Sequence, residues 1–165
     1  MKYLLDSLVI FGAKYLLFVV VVIAFVYFLR QPSDKQKQLA VFGLITCALV
    51  FIVARIASQL YYDPRPFVIG HFSPLVPHVP DNGFPSDHTL LASAIATVIF
   101  YFNRKVGVAL SALAVLVGVA RVMAGVHSPI DIIGSIIISA VVTFSAYGII
   151  MPIVSGTKIY KKYIG

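Results

Sequence analysis

Cysteine is almost missing from this chain. Cys47 is the single one among 165 residues, and it lies inside an apolar run. Neither a disulfide framework nor a CxxC metal site is available, and the residue reads as a small buried side chain. Charge is scarce too. Charged residues make up 12% and hydrophobic residues 60% of the chain, whereas a soluble domain averages about 25% and about 45–50%. That excludes an ordinary water-soluble domain and leaves an integral membrane protein. A cleavable signal peptide is not expected, because Asp6 and Lys14 interrupt the first apolar stretch, which then continues to Leu29. The chain has no internal repeat, low-complexity segment or HExxH pair.

Acidic residues are fewer than basic ones, giving a net charge of +7. In a soluble protein this would point to nucleic acid. Here the cations sit at the ends of apolar runs, where they act as topology signals, so no nucleic-acid partner is expected. Five spans are predicted, over residues 8–29, 39–61, 86–102, 106–123 and 129–153, with an interfacial start near residues 3–12 as an option. Each is near the roughly 20 residues a bilayer requires, the third and fourth being short. The predicted architecture is an all-α, polytopic transmembrane bundle forming one domain over residues 1–165.

Arg30, Lys35 and Lys37 follow the first span, Arg104 and Lys105 the third, and Lys158, Lys161 and Lys162 lie in the tail. With five spans all three groups share one side, which the positive-inside rule makes cytoplasmic. The N-terminus and the loops 63–85 and 124–128 are then external. Lys2 and Lys14 read as interfacial, Lys14 by snorkelling. Arg55 either snorkels from the outer end of the second span or lines a polar cavity.

What remains polar is concentrated in three islands: Arg65-Pro66, Phe84-Pro85-Ser86-Asp87-His88, and Arg121 with His127 and Asp131. Ionisable groups inside a membrane protein are expensive and by default functional. The third span has only 14 residues after His88, about 21 Å of helix against a hydrocarbon core of about 30 Å. Its start is therefore predicted to lie in a recess, where free helix N–H groups attract anions.

Each island also has a plain structural reading. Ser86 and Asp87 make a good helix start, as N-cap and first-turn acid. Ser128, Pro129 and Asp131 resemble a capping box, whose carboxylate can reach back toward His127. Arg121 would serve as an interfacial anchor. The loop 63–85, rich in Pro and Gly, should be irregular but stiff, and its His71 and His78 read as ordinary loop histidines. Taken jointly, two arginines able to clamp a phosphoryl group, two histidines and an aspartate make a phosphoryl-transfer set.

The ordered pattern Arg65-Pro66, Pro85-Ser86-Asp87-His88 and Arg121…His127…Asp131 resembles the type 2 phosphatidic acid phosphatase superfamily. The surrounding residues 63–67, 84–89 and 121–127 most resemble its bacitracin-resistance type, the undecaprenyl-diphosphate phosphatases. The chain departs from the general pattern at Ser58 (usually Lys), Asp87 (usually Gly) and Ala120 (often Ser), and Arg55 lies one helical turn before the missing lysine. The first two departures also occur in the bacitracin-resistance type and favour a diphosphate substrate.

The resemblance implies a helical bundle of up to six spans in the bacterial plasma membrane, with the site at its outer face. It implies His127 as nucleophile forming a phosphohistidine, Asp131 orienting it, and His88 as acid and then base. Arg65, Ser86, Arg121 and Asp87, with the helix start, would bind the phosphate. No cofactor and no metal are expected, and the partners are a polyprenyl diphosphate and membrane lipids. Such an enzyme recycles the carrier lipid of cell-wall synthesis. Phosphatidic acid, phosphatidylglycerophosphate and a lipid A phosphate remain open as substrates. A metal-dependent hydrolase using His88, His127, Asp131 and a loop histidine, or a non-catalytic lipid-binding or transport protein, are the rival classes.

Overall fold

A computed structural model describes residues 2–150 and 152. Six α-helices follow one another: α1 Lys2–Leu29, α2 Ser33–Leu60, a short α3 Pro66–Ile69, α4 Asp87–Phe102, α5 Arg104–Met123 and α6 Pro129–Ser145, which continues as a π-helical turn Ala146–Ile150. Among the described residues, four helices are long and apolar enough to cross a membrane, and α4 is a shorter apolar one. In hydrocarbon every backbone N–H and C=O must find its partner within the chain, and helices satisfy this internally. The all-α transmembrane bundle is the observed architecture.

Boundaries differ from the sequence reading in instructive ways. α1 is one continuous helix from Lys2, so residues 3–12 belong to the same helix as the span. Lys35 and Lys37 lie in the first turns of α2, and Arg104 and Lys105 open α5, rather than occupying loops. Pro32 precedes α2 at the cap position, and Asn103 alone links α4 to α5, its side chain accepting from Val106 N–H at 3.2 Å. The turns are thus shorter than cations alone indicate. Loop 63–85 contains α3, started by Pro66 at the first helical position. The tail cations Lys158, Lys161 and Lys162 and the end of the fifth predicted span at 153 lie outside the described residues.

Helix α4 is the centre, packed against α1, α2, α5 and α6. Its small residues make this feasible. Ala92 and Ala96 meet Val20 of α1 and Leu110, Ala114 and Val117 of α5, while Leu90 and Ala94 meet Val50 and Ala54 of α2. Membrane helices gain little from hydrophobic association and rely on close approach and interhelical hydrogen bonds. Both devices are present. A Cβ on Gly12 would stand 2.7 Å from the Cβ of Ala120, so α1 and α5 cross where no side chain fits. On the opposite face, α6 donates Ser139 Oγ to the carbonyl of Leu90 at 2.9 Å, a bond contributing roughly 0.6 kcal/mol, and shares Ser135 Oγ between the carbonyls of Asp131 at 2.7 Å and Ser86 at 3.0 Å. Large apolar side chains such as Leu44, Leu60 and Ile149 face outward, as lipid contact requires.

The two ends of the bundle differ. At one, Tyr27 and Phe28 of α1, Leu39 and Phe42 of α2, and Tyr101 and Phe102 of α4 pack together, beside the cations Arg30, Lys35, Lys37, Arg104 and Lys105. At the other, loop 61–86 and the turn between α5 and α6 bring the polar islands together.

Candidate active site

The capping box of α6 builds the centre. Asp131, at the third helical position, accepts the backbone N–H of Ser128 on Oδ2 at 2.9 Å, and the same oxygen lies 3.0 Å from His127 Nδ1. Residues three apart across a helix start meet this way for local reasons. Ser128 Oγ, the other half of the capping box, also donates to Asp63 Oδ2 across the loop. Pro85 follows a cis peptide bond.

His127 Nε2 points the other way, between two guanidinium groups. Arg65 Nη1 lies 3.3 Å and Arg121 Nη2 3.4 Å from it. Guanidinium groups only donate, so Nε2 must carry the lone pair and Nδ1 the proton, donated to Asp131. Burial, opposed by the Asp131 hydrogen bond and reinforced by the charges of Arg121 and Arg65, holds the His127 pKa below its ordinary value. The ring is neutral at neutral pH, with the lone pair of Nε2 between the two guanidinium groups.

Both arginines are held from behind. Arg65 binds Asp81 Oδ1 through Nε at 2.6 Å and the carbonyl of Val126 through Nη1 at 2.8 Å. Arg121, 4% exposed, reaches the carbonyl of Ala13 at 3.5 Å, and its Nε is buried without a partner. Burial of an unneutralised guanidinium is costly, and a bound anion would offset that cost.

A cavity of about 160 Å³ opens in front of these groups, lined among others by Arg55, Arg65, Asp87, His88, Arg121 and His127. The islands, separated by up to 66 positions in the chain, therefore do converge. Asp131 stands behind His127, fully buried. Ser86 is also fully buried and lies behind the cavity wall. It occupies the N-cap position of α4 without a side-chain cap bond, and its hydroxyl receives Thr89 Oγ1 at 3.2 Å. Arg55 settles as a cavity residue, stacked over Phe51 at 4.8 Å. Among the described residues, no group of three or more His, Cys, Asp or Glu side chains is arranged to hold a metal ion.

A profile of the PAP2 superfamily matches residues 44–154, a range that holds all three islands. The chain belongs to the PAP2 superfamily. It is 32% identical over 140 residues to undecaprenyl-diphosphatase BcrC of Bacillus subtilis (strain 168), covering 85% of this chain and 72% of that protein. A transmembrane PAP2-type phosphatidylglycerolphosphate phosphatase from Bacillus subtilis superposes with a TM-score of 0.65 at 26% identity, over 90% of this chain and 78% of that one. LpxE of Aquifex aeolicus shares the fold, with a TM-score of 0.67 at 24% identity over 88% and 86% of the two chains. A multi-pass membrane PAP2 lipid phosphatase is thereby established.

Within this PAP2 site, several groups went unnoticed in the sequence. Asn82 is a hub. Its Oδ1 accepts from the N–H groups of Asp63 and Phe84, and its Nδ2 donates to the carbonyl of Ser58 at 2.9 Å, Ser58 Oγ at 3.1 Å and the carbonyl of Tyr61 at 3.0 Å. Ser58, where the general PAP2 pattern has lysine, thus ties the loop to the end of α2. Asp81 completes the set, and His78, which reads from the sequence as an ordinary loop histidine, lines the cavity. A run of Asp, Asn and Gly signals only a turn, and nothing local says which helix the turn will face.

Proposed function

We propose that this PAP2 phosphatase hydrolyses undecaprenyl diphosphate to undecaprenyl phosphate and inorganic phosphate at the outer face of the bacterial plasma membrane, through a phosphohistidine. The observation that carries the reading is His127, with Nδ1 donating to Asp131 and Nε2 flanked by Arg65 and Arg121. The terminal phosphorus takes the lone pair of Nε2 while its bond to the bridging oxygen breaks. His88 protonates that oxygen, which leaves on the lipid phosphate. The now neutral His88 then takes a proton from the water that cleaves the phosphorus–nitrogen bond. Arg65 and Arg121 stabilise the charge on the transferring oxygens, with Ser86 and the start of α4 shaping the floor of the pocket and Asp87 at its rim. One domain spans the chain, its N-terminus outside and its C-terminus cytoplasmic, and the prenyl tail remains in the bilayer.

Likeness to undecaprenyl-diphosphatase BcrC favours the diphosphate; likeness to a phosphatidylglycerolphosphate phosphatase keeps a glycerophospholipid monophosphate as the second reading. The deciding experiment measures phosphate release by the purified protein in detergent from undecaprenyl diphosphate and from phosphatidylglycerophosphate, with and without EDTA, beside a His127→Ala variant. EDTA-resistant turnover of the diphosphate that vanishes in the variant is expected. Preference for the monophosphate moves the assignment to the second reading, and loss of turnover in EDTA rejects the phosphohistidine route.

A further inference from the structure

His78 stands apart from the groups used so far. Its ring lies 5.9 Å from that of His127, centroid to centroid, at 78°, and it lines the same cavity as Arg65, His88 and Arg121. Its Nδ1 is buried and has no hydrogen-bond partner. Leaving a buried polar atom unpaired costs about 1–3 kcal/mol, and native structures keep few such atoms. The ring is placed from outside. On one side Val76 packs with Val9, Ala13, Ala120, Ala124 and Val126, and Leu75 N–H donates to the carbonyl of Ala124 at 3.0 Å. On the other, Asp81 is bound to Arg65 at 2.6 Å. Two anchors set the loop, and the imidazole between them is left to face the cavity.

The charged and titratable groups around the ring are Arg65, Arg121 and His127 across the cavity, His88 on α4 and Asp81 on its own loop. Burial, and then the charges of Arg65 and Arg121, hold the His78 pKa below its ordinary value, opposed by an interaction with the Val79 backbone. At neutral pH the imidazole is therefore uncharged, with one N–H to give. With Nδ1 shut away, Nε2 is the nitrogen left to serve the cavity.

We propose that His78 is a further substrate-binding residue, whose Nε2–H donates to a non-bridging oxygen of the phosphoryl group held between Arg65 and Arg121 while its ring restrains that of His127. This rests on the phosphatase reading of the cavity and adds a neutral donor to it. A donor of this kind adds a hydrogen bond to the phosphoryl group without adding to the charge of the two guanidinium groups.

The test compares wild type with His78→Leu, His78→Gln and His78→Asn in detergent. It reads kcat/KM on a lipid diphosphate and, separately, the Kd for orthovanadate. Loss of a donor aimed at transferring oxygens lowers kcat/KM on the order of 10²-fold, so His78→Leu should fall by that much and weaken vanadate binding. His78→Gln, whose amide reaches the place of Nε2, should recover most of both, and the shorter His78→Asn should not. Leucine within threefold of wild type in both readouts overturns the proposal, as does glutamine no better than leucine. Should the leucine variant fail to fold, equal values for glutamine and asparagine overturn it. A wild type that hydrolyses no lipid diphosphate rejects the substrate assignment alone, because the vanadate series still decides for His78; a wild type that binds no vanadate overturns both.

Discussion

Asp131 Oδ2 receives two donors at once, the backbone N–H of Ser128 at 2.9 Å and the ring nitrogen Nδ1 of His127 at 3.0 Å. One oxygen starts helix α6 and fixes the tautomer of the proposed nucleophile. Structure and chemistry are thereby coupled, because the ring cannot turn away while the helix start is intact.

Replacing Asp131 with Asn keeps a carbonyl oxygen that can cap the helix but removes the charge facing an imidazolium. The fold should survive. Turnover should fall by about 10⁴-fold, the loss seen when the orienting aspartate of a catalytic triad becomes asparagine. Phosphate release and helix content by circular dichroism check this together. Activity within tenfold of wild type, with unchanged helicity, would mean that Asp131 is a cap alone.

The pH profile follows from the direction in which the site shifts His127. Burial, with Arg121 and Arg65 adding to it, lowers its pKa below the usual value near 6.5. Its neutral, nucleophilic form therefore persists below that pH. The acid limb of kcat/KM, after division by the substrate's own ionisation, should lie below pH 6.5. A limb centred at or above 6.5 contradicts the geometry of two guanidinium groups around Nε2.

How much of this was readable from the chain depends on the range of each interaction. The capping box is local, three residues from Ser128 to Asp131, and sequence alone gives it. Arg65, His88, Arg121 and His127 stood out because hydrocarbon makes any retained charge costly, and all four line one cavity. His78 and Asp81 did not stand out. Asp81 meets Arg65 across 16 positions of loop, and His78 meets His127 across 49, contacts set by how the loop folds back over α1 and α5. Ser86 carries a second, structural part that its motif does not announce. Its motif points at phosphate, while its place in the fold is a fully buried joint between α4 and α6.

Gly83 tests the loop's role in holding that carboxylate. A Cβ there would stand 2.8 Å from Asp131 Oδ2 and 3.1 Å from the carbonyl of Asp63. Either the carboxylate turns off His127 or the loop lifts, breaking the Gly83 N–H bond to Asp63 at 2.8 Å. Gly83→Ala should therefore cut turnover at least about tenfold, given how steeply rate falls with misplacement of about 1 Å. Helix packing farther down the bundle should be untouched, so thermal unfolding is the control. An alanine variant with wild-type kcat would show that the loop yields freely.

Arg55 bears on the choice between one phosphate and two. The position that carries lysine in the general PAP2 pattern is Ser58, and its hydroxyl and carbonyl are both taken by Asn82. The cation lining that side of the cavity is instead Arg55, stacked over Phe51. An apolar groove of about 220 Å³, lined by Cys47, Val50, Phe51, Leu90, Leu91 and Ala94, adjoins it and shares Asp87 with the polar cavity. A lipid whose terminal phosphoryl lies at His127 and whose tail lies in this groove would bring its lipid-linked phosphate past Arg55. A charge-assisted hydrogen bond at so open a place contributes about 1.5 kcal/mol, close to a tenfold effect on binding. Arg55→Gln should thus raise KM about tenfold for a prenyl diphosphate and change it much less for the matching monophosphate, with kcat nearly constant for both. Equal losses on the two substrates would place Arg55 at the terminal phosphoryl group, and no loss on either would leave it a surface cation held by Phe51.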